Sequence, residues 1–302
     1  MPYLALKIDV DTYRGTREGV PKLAEALKRH NANATFLWSL GADHTGRAIK
    51  RAFRPGFMKK VSRTSVLEHY GVKTLLYGTL LPGPDIGRRC AGIMREIAAQ
   101  GFENGIHTWD HVRWQDGVAT ADADWTAAEL NAAFQRFKEI FGEPPLTHGA
   151  AGWQMNAHAY RLEQQLGFTY ASDGRGTQPF WPMVNGELVR VPQLPTTLPT
   201  LDELIGVDGL TVDNVHEHLM RLTETALPTG HVYTLHAELE GMKLLPVFER
   251  LLAGWTAQGY QLVSVNQLFE TLDVQQLPYH SVEMGEIPGR SGTLALQGAA
   301  FP

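Results

Sequence analysis

The sequence predicts an α/β fold: a distorted (β/α) barrel, with a doubly wound parallel sheet as the second architecture. Three observations predict it. Strand-like apolar runs alternate with stretches of helical periodicity, the pattern of parallel strands each covered by a helix. Neither a sequence repeat nor a linker interrupts residues 1–272, so the 302-residue chain reads as one barrel domain followed by a tail over 273–302. Acids and histidines recur where the strands end, as at the carboxyl rim of a barrel.

Leu4 to Ile8 reads as the first buried strand. Val20, Leu23, Ala24 and Leu27 then follow the i, i+3, i+4, i+7 spacing of one helix face. Ala34 to Trp38 is the next strand and Phe102 to Ile106 a later one. Thr126 and Glu129 match a capping box opening a helix whose buried stripe is Leu130, Phe134 and Phe137. Gly142 and the pair Pro144-Pro145 end that helix, and Asp122 and Asp124 read as charges favoured by its N-terminal dipole. Further strands are expected at Thr169 to Ala171, Leu188 to Val191, His231 to Leu235 and Gln261 to Val265. Helices fit at roughly 211–226 and 242–257.

Two segments depart from the pattern. Residues 41–87 are too long for a simple βα loop and are basic. Arg47, Lys50, Arg51, Arg54, Lys59, Lys60 and Arg63 fall within 17 residues that hold no acid and are interleaved with Ile49, Phe53, Phe57 and Met58. Such a run is either a solvated face or a surface that docks on an anionic membrane and meets a phosphate. The tail after 273 is rich in Gly and Pro and is expected to wrap the surface or stay partly disordered.

Composition excludes several classes. With 43% hydrophobic and 20% charged residues the chain can bury a core, which excludes a disordered or fibrous protein. Lys plus Arg is 27 against 32 for Asp plus Glu, and a net charge of −5 gives no reason to expect nucleic acid. The single cysteine, Cys90, permits no intrachain disulfide and no multi-cysteine zinc site, and reads as a small core residue. The opening Tyr3 to Ile8 run lacks a basic n-region, and no window approaches 18 consecutive apolar residues. The expected place of action is the cytoplasm or the membrane surface facing it.

The chemistry gathers in a few short motifs. Asp9 and Asp11 flank Val10 at the end of the first strand, and the i, i+2 spacing puts both carboxylates on one face. His107 and His111 would share a face on a turn of helix. Two imidazoles so placed, with a carboxylate from elsewhere, are the usual ligands of a catalytic divalent metal. No His-Glu-x-x-His is present, which removes support for a zincin protease. His236 closes the run Val232 to Leu235, and Asp173 follows Tyr170 to Ser172 in the same position of another unit. His148 opens the loop Gly149-Ala150-Ala151-Gly152-Trp153, whose small residues could bring backbone N–H groups close to a substrate. His216-Glu217-His218, by contrast, points to different helix faces and reads as solvated.

Asp-x-Asp early, His-Thr-x-x-His in the middle and Leu-His late, in that order, resemble the polysaccharide deacetylase family, also called the NodB-homology or carbohydrate esterase 4 family. The residues that carry the resemblance are Lys7 to Thr12, Gly105 to His111, the His148–Trp153 loop and Tyr233 to Glu238, and it covers roughly residues 3–272. The resemblance implies a distorted (β/α) barrel and a metal-dependent hydrolase of a linear amide. Its motifs make Asp9 the general base, Asp11, His107 and His111 the metal ligands, and His236 the general acid, with Asp173 orienting His236. His148, Ala150, Trp153 and Arg175 become substrate-side residues, Trp153 either shaping an acyl pocket or simply packing. Within the family the likeness is strongest to enzymes that remove an N-formyl group from 4-deoxy-4-formamido-L-arabinose on undecaprenyl phosphate. That reaction belongs to lipid A modification and polymyxin resistance, and implies a peripheral enzyme on the cytoplasmic face of a bacterial inner membrane. Arg51, Arg54, Lys59 and Lys60 would then meet the membrane or the phosphate. No protein partner is implied.

Two departures from the family pattern stand out. Val10 separates acids that the family usually places side by side, which leaves the roles of Asp9 and Asp11 partly exchangeable. The third motif usually offers an Arg that holds the base; His148 stands there, and Arg175 could supply the missing charge. The ligand set suits zinc, manganese, cobalt or iron, and availability usually decides among them. Two other functions compete: N-deacetylation of another amino sugar or of a peptidoglycan or chitin oligomer, and a non-catalytic sugar-binding barrel.

Overall fold

A computed structural model describes residues 1–48, 71–290 and 292–301. Its centre is β1 (Tyr3–Val10), buried along nearly its whole length on both faces, which is why its sequence runs apolar without alternation. β2 (Thr35–Ser39), β3 (Glu103–Thr108), β4 (Thr147–His148) and β5 (Tyr170–Ala171) extend the sheet in parallel on one side of β1, and β8 (His231–His236) pairs with it on the other. β9 (Gln261–Val263) pairs with the first residues of β1, below the point where β2 begins.

The sheet path ends at β5 and β8, and an irregular stretch lies between those two. Leu194 donates its N–H to Ala171 O at 2.8 Å, and Thr197 donates to Val232 O at 3.0 Å. This is a parallel-strand half-barrel whose open side is bridged by loop backbone, in keeping with the distorted barrel predicted.

Helices cover the outer face. α1 (Val20–Arg29) buries Val20, Leu23, Ala24 and Leu27, the predicted stripe. α2 (Ile86–Ala99) buries Cys90, whose thiol is pushed up to about 12 by burial and so behaves as a small apolar group. α3 (His111–Gly117) is two turns long. α4 (Ala123–Phe141) buries Leu130, Phe134 and Phe137 and ends at Gly142, whose φ of 82° is the left-handed cap that glycine adopts without strain. Its start corrects the predicted capping box. Asp122 is the cap, accepting from Trp125 N at 2.8 Å, while Thr126 and Glu129 lie buried inside the helix. A Thr-x-x-Glu pair reads the same whether it opens a helix or sits one turn into it.

α5 (Ala157–Leu166), α6 (Val215–Leu222) and α7 (Leu245–Ala257) follow, the last two shorter than the periodicity predicts. The expected strand Leu188 to Val191 lies outside the half-barrel. Only Glu187–Leu188 is extended, as β7, pairing antiparallel with β6 (Trp181–Val184) in a second sheet. That sheet is completed by β10 (Tyr279–Gly285) and β11 (Leu294–Ala300), the segment read as a surface tail. Arg175 N–H donates to Ala295 O at 2.9 Å, so this hairpin is stitched to the loop after β5.

Candidate active site

The alternation of β1 sends Lys7, Asp9 and Asp11 to one face, which opens at the carboxyl rim of the half-barrel. β3 delivers His107, and Thr108 to Asp110 turn the chain into α3, where His111 is the first residue. Asp110 holds this turn by accepting from Arg113 N at 3.0 Å, and its other oxygen accepts from His44 Nδ1 at 2.6 Å. The two histidines therefore sit on opposite sides of a strand-to-helix junction, not on one helical turn. Their rings still converge, with centroids 5.3 Å apart.

Asp11 lies between them, Oδ1 at 3.2 Å from His107 Nε2 and Oδ2 at 3.3 Å from His111 Nε2. Burial raises the Asp11 carboxyl, but His111 and His107 outweigh it and hold the group well below the usual carboxylate range. A divalent ion fits this set. His107 Nδ1 donates to Gly149 O at 2.6 Å, which leaves the Nε2 lone pair facing Asp11. Asp11 Oδ1 is buried with no hydrogen-bond partner among the described residues, as expected of a ligand atom. The three side chains offer converging ligand atoms, one carboxylate and two imidazoles.

Asp9 stands one step down the strand, Oδ1 at 3.8 Å from His107 Nδ1. β8 is in register with β1 so that His236 lies beside Asp9, bringing the expected base and acid to neighbouring strands. The His236 backbone N–H donates to Glu240 Oε2 at 2.9 Å, and its Nδ1 is buried without a hydrogen-bond partner among the described residues. Glu238 anchors the first motif from the other side. Its Oε1 accepts from Asp11 N at 3.1 Å and from Thr12 N and Oγ1 at 2.7 Å each. Burial and the charge of Asp11 push the Glu238 carboxyl far up, while burial brings Glu240 to about 7.

Asp173 does not reach His236; no contact joins them among the described residues. Its Oδ1 accepts from Ala150 N at 2.9 Å and lies 2.8 Å from His148 Nδ1, and its Oδ2 accepts from Gln193 Nε2 at 2.9 Å. His148 also lies 2.6 Å from Glu163 Oε1, all three side chains being fully buried. Burial disfavours an imidazolium here, but Asp173 and Glu163 outweigh it and raise His148 to about 10. A histidine raised above its unfolded value of about 6.5 gives stability that is complete below that pH and lost as pH climbs towards 10. His148→Gln is therefore expected to flatten the fall of Tm between pH 7 and 10. An equally steep fall in the variant would show that another group is responsible.

This buried triad positions the loop that follows β4, and the loop holds His107 through Gly149 O. The N–H groups of Gly149, Ala150 and Trp153 donate to Ile106 O, Asp173 and Ala150 O, so these three are not the N–H groups that the loop was expected to bring to a substrate. Trp153, at φ 55°, is buried and donates to Thr196 Oγ1 at 3.1 Å. Its ring carries Arg175 at 4.9 Å and Arg290 at 4.6 Å. Arg175 does not supply the charge expected beside the base: its guanidinium binds Glu203, with Nη1 2.6 Å from Oε1, and Leu198 O. Arg51, Arg54, Lys59 and Lys60 lie outside the described residues; Arg47 donates to Gly78 O at 3.1 Å.

Sequence reasoning missed Glu163, Glu203, Glu240 and Arg290, and gave no role to Lys7 and Glu238 although both stand in the motifs that carry the resemblance. A charged residue inside an apolar strand was the signal at Lys7. The four missed residues carry no such local signal.

The half-barrel, its rim histidines and its paired acids define a class, and a family match bears this out. The polysaccharide deacetylase model matches residues 3–171, and the chain belongs to that family. It is 38% identical over 295 residues to a Shewanella sediminis protein, covering 97% of this chain and 94% of that one. It is 31% identical over 284 residues to one from Wigglesworthia glossinidia brevipalpis, covering 94% and 98%. Both relatives are named probable 4-deoxy-4-formamido-L-arabinose-phosphoundecaprenol deformylase. A polysaccharide deacetylase structure from Mycobacterium smegmatis superposes with a TM-score of 0.63 at 18% identity, covering 95% of this chain and 96% of that one, a likeness of fold.

Proposed function

We propose that this protein is a metal-dependent deformylase that releases formate from 4-deoxy-4-formamido-L-arabinose linked to undecaprenyl phosphate, in the modification of lipid A. The observation that carries the reading is the convergence of Asp11, His107 and His111 beside the Asp9–His236 pair. The naming of two relatives that span nearly the whole chain supports the substrate.

An amide is a poor electrophile and its amine a poor leaving group, so both ends of the bond need help. Asp11, His107 and His111 would hold a divalent ion, which when bound acts as a Lewis acid on the carbonyl and eases deprotonation of water. Asp9 takes the proton of the attacking water, and His236, on the neighbouring strand, gives a proton to the departing nitrogen. Gly149 O keeps His107 in the tautomer that presents Nε2. A sugar-binding barrel without catalysis would need none of these groups, and all are in place.

A substrate with an isoprenoid tail stays in its bilayer, so the enzyme must work at a membrane surface. No helix among the described residues is long and apolar enough to cross a membrane. The seven cations of residues 47–63 suit an anionic leaflet at the cytoplasmic face, each contributing about 1 kcal/mol near the surface.

Formamido and acetamido forms of the lipid-linked sugar decide the substrate. Formate release far faster than acetate release is expected, and preferential acetate release would instead favour an N-deacetylase. Replacing Arg51, Arg54, Lys59 and Lys60 with Ser is expected to slow turnover on anionic vesicles far more than turnover of a short water-soluble analogue. Equal losses on both would leave that segment as ordinary surface.

A further inference from the structure

We propose that the turn Gly78–Pro82, with the short helix that leads into it, is an apolar foot that dips into an anionic bilayer and sets the catalytic rim against it. The surface deepens the reading of a lipid-linked substrate and rests on it, because only a substrate held in a bilayer requires the rim to face one.

Single exposed leucines are ordinary on a folded protein. Here four successive residues, Thr79, Leu80, Leu81 and Pro82, are exposed, and Leu80 shows 80% of its surface. Val72, 66% exposed, opens the short helix Val72–Leu76. Leu76 O then accepts from the N–H groups of Leu80 and Leu81 at 3.1 and 3.0 Å, and Gly78 N–H donates to Leu81 O at 2.8 Å. The leucines are therefore presented on a turn whose backbone is already bonded to itself. Such a turn enters a headgroup boundary without stranding those polar groups.

The turn belongs to the catalytic rim. Gly46 N–H donates to Tyr77 O at 2.9 Å and Arg47 Nε donates to Gly78 O at 3.1 Å, which clasps the turn to the loop leaving the carboxyl end of β2. Gly78, at φ 78°, lies against His44, where a Cβ would stand 2.8 Å from His44 Cδ2. His44 in turn holds Asp110, the cap of the helix that begins with His111. One histidine thus links the apolar turn to the strand-to-helix junction of the metal ligands.

Charge points to the same occupant. Lys73, Arg88 and Arg89 are exposed within residues 71–89, and Arg47 is exposed beside them in the clasp. The one acid of that stretch, Asp85, is bound by Arg136, with Nη1 2.7 Å from Oδ1. Leucines ringed by cations fit an anionic leaflet: the apolar groups enter the headgroup boundary while the cations meet phosphates.

The chain suits a direct test. Cys90 is its one cysteine, is buried, and has a thiol pushed up to about 12, so a second cysteine on the surface takes a label alone. An environment-sensitive fluorophore on Leu80→Cys is expected to shift to the blue on vesicles of phosphatidylglycerol and phosphatidylethanolamine, and to be quenched by a lipid-borne nitroxide. The control is Leu146→Cys, since Leu146 is 54% exposed just before β4, at the opposite end of the strands, and should show neither change. No response at Leu80→Cys, or an equal response at both sites, overturns the proposal.

Leu80→Ser combined with Leu81→Ser is expected to weaken binding to these vesicles about tenfold or more. Formate release from the lipid-linked substrate should fall with it, and release from a short water-soluble analogue should not. Undiminished vesicle binding in that variant overturns the foot. Self-association of the parent that the variant abolishes, with no vesicle response, would make the turn a contact between copies and overturn it equally. Insertion at Leu80→Cys without formate release from either substrate would sink the deformylase reading and uphold the surface.

Discussion

Replacing His107 or His111 with alanine is expected to abolish hydrolysis and the retention of a divalent ion together, with the fold left in place. Both side chains point into the polar rim, where His107 Nε2 and His111 Nε2 lie 3.2 and 3.3 Å from Asp11. The sheet is held by backbone pairing of β1 with β2 and β8, which neither ring takes part in. Elemental analysis of the purified variants, read against their circular dichroism, checks this; normal metal content in both would refute the ligand assignment. The same assay ranks the acids. Asp11 presents an oxygen to each imidazole, whereas the one imidazole nitrogen near Asp9 is committed to Gly149 O. Asp11→Asn should therefore lose more metal than Asp9→Asn, and the opposite ranking would exchange their roles.

Asp9→Asn and His236→Ala are each expected to lower kcat by about 10²–10⁴-fold, the usual contribution of a positioned acid or base, with little change in Tm. Each acts on a proton in the transition state, and neither bears on the apolar core. The pH–rate profile of the parent should be bell-shaped, with one limb removed in each variant. An unchanged kcat in the His236 variant would show that the proton reaches the nitrogen by another route.

Much of this arrangement was legible from local pattern. The strand that leads to Asp9 and Asp11, the one that carries His107 near its end and the one that ends at His236 follow from apolar runs a few residues long. Those runs set the direction in which the next residues emerge. What could not be read was any relation that closes over a long loop. Nothing near Asp173 says that it will meet His148 and Gln193 and not His236. Arg175 has no local sign of Glu203, and the Gly-rich segment after 273 gives no hint that it pairs with β6 and stitches itself to Arg175. The capping error at Thr126 has another source: a four-residue motif fixes a periodicity but not the turn at which the helix starts.

The central place of β1 also sets a timetable for synthesis. Asp11 and Glu238, joined by a hydrogen bond, are separated by 227 residues. At about 5–20 residues per second, roughly 10–45 seconds pass on the ribosome between the emergence of the first and of the second. Throughout that interval one edge of β1 has no β8 beside it, and Lys7 and Asp9 have only part of their enclosure. The protein's chemistry cannot begin until the second half of the polypeptide has left the tunnel.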